Sequence, residues 1–388
     1  MNFKKIVSLI LALILVFTLS ACTEGNNEST LSNSSDISSS EIESVTSTVS
    51  NSTETSEKDT TDTSSAKSSS STSSKPTSSK NSSSKPSTTT TSQKVSSENK
   101  TNNSKVSPKL YKVTDSKGNV AWLFGSIHVG KSTFYPLPDY VTNAFYGSEV
   151  LAVEFDLVAF ENDMTAQTNA LSALVSPKQS VKKHLIGNDA LSTYERAVEI
   201  LTENQSYSPY MDYYKPALWS MFIDSLIYKK IGADSGYGID RHLINEAKQK
   251  NIKIDNIESA DAQYKMLAGF SDKLQTMMLK GSIQSYESPD SKKDLDALMN
   301  IWETGDYAKL RKMLREDYDA MYADDPALCK EYNDAMNVKR DALMTDYVVK
   351  ALSSGKRTFV CVGAAHIARE NGIADSLKAR GYTVEEVK

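Results

Sequence analysis

The chain has 388 residues, 44 Lys and Arg against 49 Asp and Glu, and a net charge of −5. That balance, with no Arg/Lys stripe interleaved with aromatics, argues against a nucleic-acid partner. Three cysteines without a CxxC pair exclude a zinc ribbon and a disulfide framework, leaving at most one bridge between Cys329 and Cys361.

The first residues read as an address. Lys4 and Lys5 precede an apolar stretch too short for a comfortable membrane span, and small residues follow. Leu19-Ser20-Ala21-Cys22 resembles a bacterial lipobox. The resemblance implies a signal peptide over residues 1–21, cleavage before Cys22 and lipidation of its thiol. The expected location is the extracytoplasmic face of the cell membrane, with the lipid as the only membrane contact. Residues 22–107 are dominated by Ser and Thr and nearly free of large apolar side chains. Such a segment buries too little surface to offset its ordering entropy and is expected to be a disordered linker. A flexible tether of about 85 residues has a root-mean-square reach of roughly 50 Å.

Residues 108–388 read as the folded domain. KLYKVTD and VAWLFGSIH flank a Ser-Lys-Gly-Asn turn, the pattern of a hairpin. A short helix is expected from Pro138, then a strand, EVLAVEFD, running through Glu154 to Asp156. The long middle is mostly helical. Pro216 opens a segment with Leu218, Trp219, Phe222, Ile223, Leu226 and Ile227 at helical spacing. A Gly-rich break precedes the helix RHLINEAKQK, IKIDNIES reads as a strand, and more helix fills about 290 to 350. The chain closes with strand RTFVCVG, helix RENGIADSLKARG and strand YTVEEV. The expected class is α/β (α+β), with a central mixed sheet built from the N- and C-terminal portions and a helical insertion over it.

Two strand ends carry Gly-x-x-His: Gly125 with His128, and Gly363 with His366. Glu154 sits at a third. Ligands of α/β sheets gather outside the carboxyl ends of strands. His128, His366 and Glu154 therefore make a candidate metal set for zinc, manganese or cobalt, with a position open for water. An ion there makes hydroxide available near neutral pH. Gly125 and Gly363 suit close approach of substrate or backbone. Asp156, two residues past Glu154, shares its strand face if the strand continues that far, and is a candidate for orienting a ligand.

GSIH at 125–128, Leu137-Pro138, LAVEFD, YKPALW, GID followed by IKIDNIESADAQ, Arg340 in a helix, and VGAAHIARENGIADSLKARGYTVEEV occur in order through 109–388. Together they resemble the TraB/GumN family, which includes the Tiki metalloproteases and pheromone-shutdown proteins. The resemblance implies an active site of His128, His366, Glu154 and Arg340, with the guanidinium donating to a carbonyl or oxyanion. It adds Asp240, in Gly-x-Asp, and Glu258 with Gln263 as supporting residues. One departure stands out: the family often has Asn after the Arg, where this chain has Asp341. His184 and His242 match no motif and read as structural or exposed. Packing is the expected role of Tyr207, Tyr210, Tyr213 and Tyr214.

The expected function is a surface-anchored, metal-dependent hydrolase with peptides or proteins as substrates. Glu154 is either ligand or general base. The competing reading is a lipoprotein that binds and sequesters a signalling peptide, or a small ligand such as haem, without turnover.

Overall fold

The computed structural model of the protein describes residues 103–388. The expected signal peptide, the lipobox and most of the Ser/Thr-rich linker lie outside the described residues. Residues just before 108 already contribute to the domain: Val106 is buried in the core, and Ser107 N–H donates to Glu303 O at 2.6 Å.

The hairpin forms as its sequence implies. Strands β1 (Leu110–Thr114) and β2 (Val120–Ser126) pair antiparallel, Leu110 facing Phe124 and Thr114 facing Val120. Asp115 closes the turn by accepting from the N–H groups of Lys117 and Asn119, each at 2.9 Å. Gly118 there has φ 86°, a conformation that residues with a Cβ avoid. Helix α1 (Asp139–Tyr146) leads to β3 (Val150–Val153). That strand stops before Glu154, and the chain turns into α2 (Leu157–Glu161) and α3 (Met164–Ser172). Helices α4 (Ala190–Glu203), α5 (Pro216–Ile231) and α6 (Ile239–Lys250) precede β4 (Lys253–Asn256).

Five helices then follow without a strand: α7 (Ala260–Ala268), α8 (Asp272–Glu287), α9 (Ser291–Glu303), α10 (Tyr307–Asp324) and α11 (Pro326–Asn333). A π-helical turn, Asp334–Val338, joins α11 to α12 (Lys339–Ser354). Strand β5 (Thr358–Gly363), a short α13 (Ala364–Ala368), α14 (Ile373–Ala379) and β6 (Thr383–Val387) complete the chain. The sequence pattern did not signal α13.

The sheet order is β4-β3-β5-β2-β1-β6. Strand β5 lies parallel to both β2 and β3, and all six of its residues are buried. A continuous apolar run such as TFVCVG suits a strand covered on both faces. Edge strand β6, by contrast, is mostly exposed and carries Glu385 and Glu386. The expected mixed sheet from both ends of the domain is what the structure shows. Its core unites sheet residues with Phe145, Leu243, Trp302, Met344 and Leu377 from the flanking helices. The insertion has separate cores, one around Leu218, Leu274 and Met336, the other around Trp219, Ile200 and Leu279. Among the described residues, no helix is long and apolar enough to cross a membrane.

Register places Ser126 of β2 beside Gly363 of β5, and Val153 of β3 beside Cys361. The carboxyl ends of three adjacent strands therefore share one edge. His128, Glu154 and His366 each follow one of them within three residues.

Candidate functional site

Each Gly-x-x-His histidine is held by an aspartate from the first turn of a helix. His128 Nδ1 lies 2.6 Å from Asp240 Oδ2 at the start of α6. His366 Nδ1 lies 2.6 Å from Asp341 Oδ1 at the start of α12. In a neutral imidazole, a carboxylate on Nδ1 keeps the proton there and leaves a lone pair on Nε2. Both Nε2 atoms are buried with no hydrogen-bond partner.

Local sequence explains the first pair. Ile239 N–H donates to Ile127 O at 3.0 Å, docking the start of α6 on the GSIH loop. A Cβ on Gly238 would stand 2.5 Å from His128 O. Only glycine allows that approach, so the Gly-x-Asp spacing delivers Asp240 to His128. Gly125 acts differently. Its missing side chain makes room for the Tyr307 hydroxyl and for Ala364 at the start of α13. A Cβ on Gly363 would lie 3.4 Å from Glu154 Oε1 and 3.5 Å from His366 Cδ2, which brings both side chains round one point.

Arg340 and Glu154 are locked together. Arg340 Nη2 donates to Glu154 Oε2 at 2.6 Å and to Glu258 Oε2 at 2.7 Å, while Nε donates to both oxygens of Glu258. Gln263 Nε2 bridges the same carboxylates at 3.2 and 2.8 Å. Glu154 Oε1 accepts from Gly363 N–H at 2.8 Å. Burial disfavours charge on Glu154, yet Arg340 beside it, with His366 and His128, holds its carboxyl well below the usual range. Burial also disfavours the Arg340 cation, and the two glutamates more than compensate. For His128, burial opposes the charged form, but Asp240 and Glu154 outweigh it and raise the pKa.

This lattice engages both oxygens of Glu154: Oε2 accepts from Arg340 and Gln263, and Oε1 accepts from Gly363 N–H. On Arg340, Nη1 is the nitrogen that lacks a partner. Asp156 lies elsewhere. Since β3 ends at Val153, Asp156 caps α2 through Ala159 N–H at 2.9 Å and pairs with Lys248. Asp341 is the residue that motif reading passed over. Its second oxygen accepts from Arg369 at 3.1 Å, and Arg369 also donates to Asn333 at 2.7 Å. The available signal was the acid directly after Arg340, in a helix first turn where an aspartate is favoured.

Buried polar atoms are nearly always paired. Of the ten such side-chain atoms without a partner among the described residues, five belong here: His128 Nε2, His366 Nε2, Asp240 Oδ1, Gln263 Oε1 and Arg340 Nη1. The two imidazole nitrogens, each backed by a carboxylate, fit a divalent ion of the zinc, manganese or cobalt type. Among the described residues, no three His, Cys, Asp or Glu side chains are gathered tightly enough to hold one unaided. Water or substrate would complete the coordination.

Other candidates have ordinary roles. His184 is bonded to Asp272 at 2.9 Å and Ser176 at 3.1 Å, and His242 packs on Tyr135. Tyr210 and Tyr213 are exposed, and Tyr207 packs near Trp219. Cys329 and Cys361 are both free and buried.

A family model described as the TraB/PrgY/gumN family matches residues 109–386, both histidine loops and the sheet short of its last residue. The chain belongs to that family. Two TraB/PrgY/gumN relatives, each named uncharacterized protein YbaP, come from Escherichia coli (strain K12) and Shigella flexneri. Each is 28% identical over 153 residues, 39% of this chain and 53% of the relative. The chain thus spans about half the length of the curated relatives it matches. No solved structure matches it.

Proposed function

We propose that this TraB/PrgY/gumN domain is a metal-dependent hydrolase of peptide-type carbonyl substrates, displayed on a lipid anchor at Cys22 on the extracytoplasmic face of the membrane. One observation carries the reading: two imidazoles, His366 buried and His128 half-buried, each with Nδ1 on an aspartate and a buried, unpartnered Nε2, beside the unpartnered Nη1 of Arg340.

His128 and His366 would hold the ion, and Asp240 and Asp341 fix the tautomer and orientation of each ring. When bound, a divalent ion supplies an acidic water near neutral pH. Arg340 Nη1 is the donor left for a substrate oxygen, and the glutamate pair holds the guanidinium still for that purpose. Glu154, kept ionised by Arg340, is a weak proton acceptor in this arrangement. Its role is therefore to position Arg340.

Sequestration without turnover is the second reading, favoured by the complete burial of His366 and the engagement of both Glu154 oxygens by protein donors. Incubating the full chain with a peptide library separates the two. Turnover abolished by chelator and restored by zinc, manganese or cobalt supports the hydrolase. Stoichiometric binding without products supports sequestration.

A further inference from the structure

A cavity lies outside the histidine pair. About 500 Å³ in volume, it opens between α10, α11, the π-helical turn, α12, α13 and α14, and its lining reaches the site at Asp341, Ala365 and Arg369. We infer that this cavity is a recognition pocket for a primary amine on an apolar stem, of the kind a lysine side chain presents, with the Asp317 carboxylate as its counter-ion.

The charge pattern of the walls carries the inference. Four arginines line the cavity, and each has its own carboxylate: Arg311 with Asp375, Arg315 with Asp319, Arg369 with Asp341, Arg380 with Asp346. Glu370 is taken by Arg315. Asp317 is the exception. It is only 7% exposed, its Oδ2 has no hydrogen-bond partner, and no cation among the described residues pairs with it. A buried, unpaired carboxylate is costly, and an ammonium ion is the complement that removes the cost.

Tyr332 supplies a second contact. It lines the same cavity with its hydroxyl buried and unpartnered, close enough to Asp317 for the two to interact electrostatically. Leu314, Met321 and Cys329 furnish apolar wall for an alkyl stem. The neighbouring turn Asp334–Val338 is π-helical, a distortion that recurs at functional sites, and its Asn337 and Val338 line the cavity. Burial also raises the Asp317 carboxyl to about 7, as expected for an acid awaiting a partner. The inference concerns binding alone and stands whether or not the histidine site turns substrate over.

The test uses Nα-acetyl-lysine amide and its uncharged analogue Nα-acetyl-norleucine amide, titrated against the full chain by saturation-transfer NMR. The lysine amide should bind, and the norleucine amide should bind at least about tenfold more weakly, the discrimination expected of one charged hydrogen bond. Asp317→Asn should weaken the lysine amide by a similar factor and leave the norleucine amide unchanged. Equal binding of the two amides by the unmodified chain would overturn the proposal, and that comparison needs no variant. So would absence of binding by the lysine amide, or an Asp317→Asn protein that binds it undiminished.

Discussion

His366 Nδ1 sits 2.6 Å from Asp341 Oδ1, and that aspartate occupies the position directly after Arg340. One helical turn thus serves both halves of the site. Arg340 clamps Glu154 and Glu258, while its neighbour fixes the imidazole of His366. An asparagine would still offer an oxygen to Nδ1–H but without the charge that strengthens the bond.

This relationship sets the first expectation. Asp341→Ala and Asp240→Ala should each weaken binding of a divalent ion by about 10–100-fold, the usual cost of losing the group behind a ligating histidine. Asp341→Asn should lose less than Asp341→Ala. His128→Ala and His366→Ala should remove the ion altogether. Metal content after equilibrium dialysis decides these cases.

Arg340 should behave first as a structural residue. Arg340→Ala leaves Glu154 and Glu258 buried side by side without their cation, and breaking a buried ion network by removing one partner costs about 3–5 kcal/mol. Thermal unfolding should show the loss directly, and adding Glu258→Gln to the variant should recover part of it. An unchanged Tm for the single variant would contradict the clamp.

Two carboxyls give opposite pH signatures. Glu154 has its folded pKa lowered from the model-compound 4.5, with Arg340 the largest favourable cause. Its contribution to stability is complete above about 4.5 and is lost as pH falls through the lower folded value. Asp317 is raised from 3.8 to about 7, by burial first and Glu316 second. Between those values the folded state holds more protons than the unfolded chain, so stability falls as pH rises from about 4 to 7. Asp317→Asn should flatten that alkaline-going decline in urea titrations without altering the acid limb.

Gly238→Ala tests the docking of α6. The added methyl would meet His128 O, so the loop must shift and carry Asp240 away from the imidazole. Expected outcomes are a destabilisation of about 1–3 kcal/mol and a fall in the raised His128 pKa, both measurable by NMR titration and denaturation. Gly118→Ala should cost stability through its positive φ alone and leave His128 unmoved.

The sequence by itself determined the strands, the long helices and the class of sheet, because apolar periodicity and turn residues are local properties of the chain. It also singled out both histidines and Glu154, whose places follow from three strand ends meeting at one edge. What only the tertiary structure decided was who holds whom. Asp240 is 112 positions from His128, and Arg340 is 186 from Glu154. Local spacing such as Gly238-x-Asp240 sets how a helix start is built, but only its docking decides which imidazole or guanidinium the carboxylate reaches. The assignment of Glu154 to Arg340, and of Asp341 to His366, arises from helix starts docking on the sheet edge, where buried charges are stable only in mutual contact.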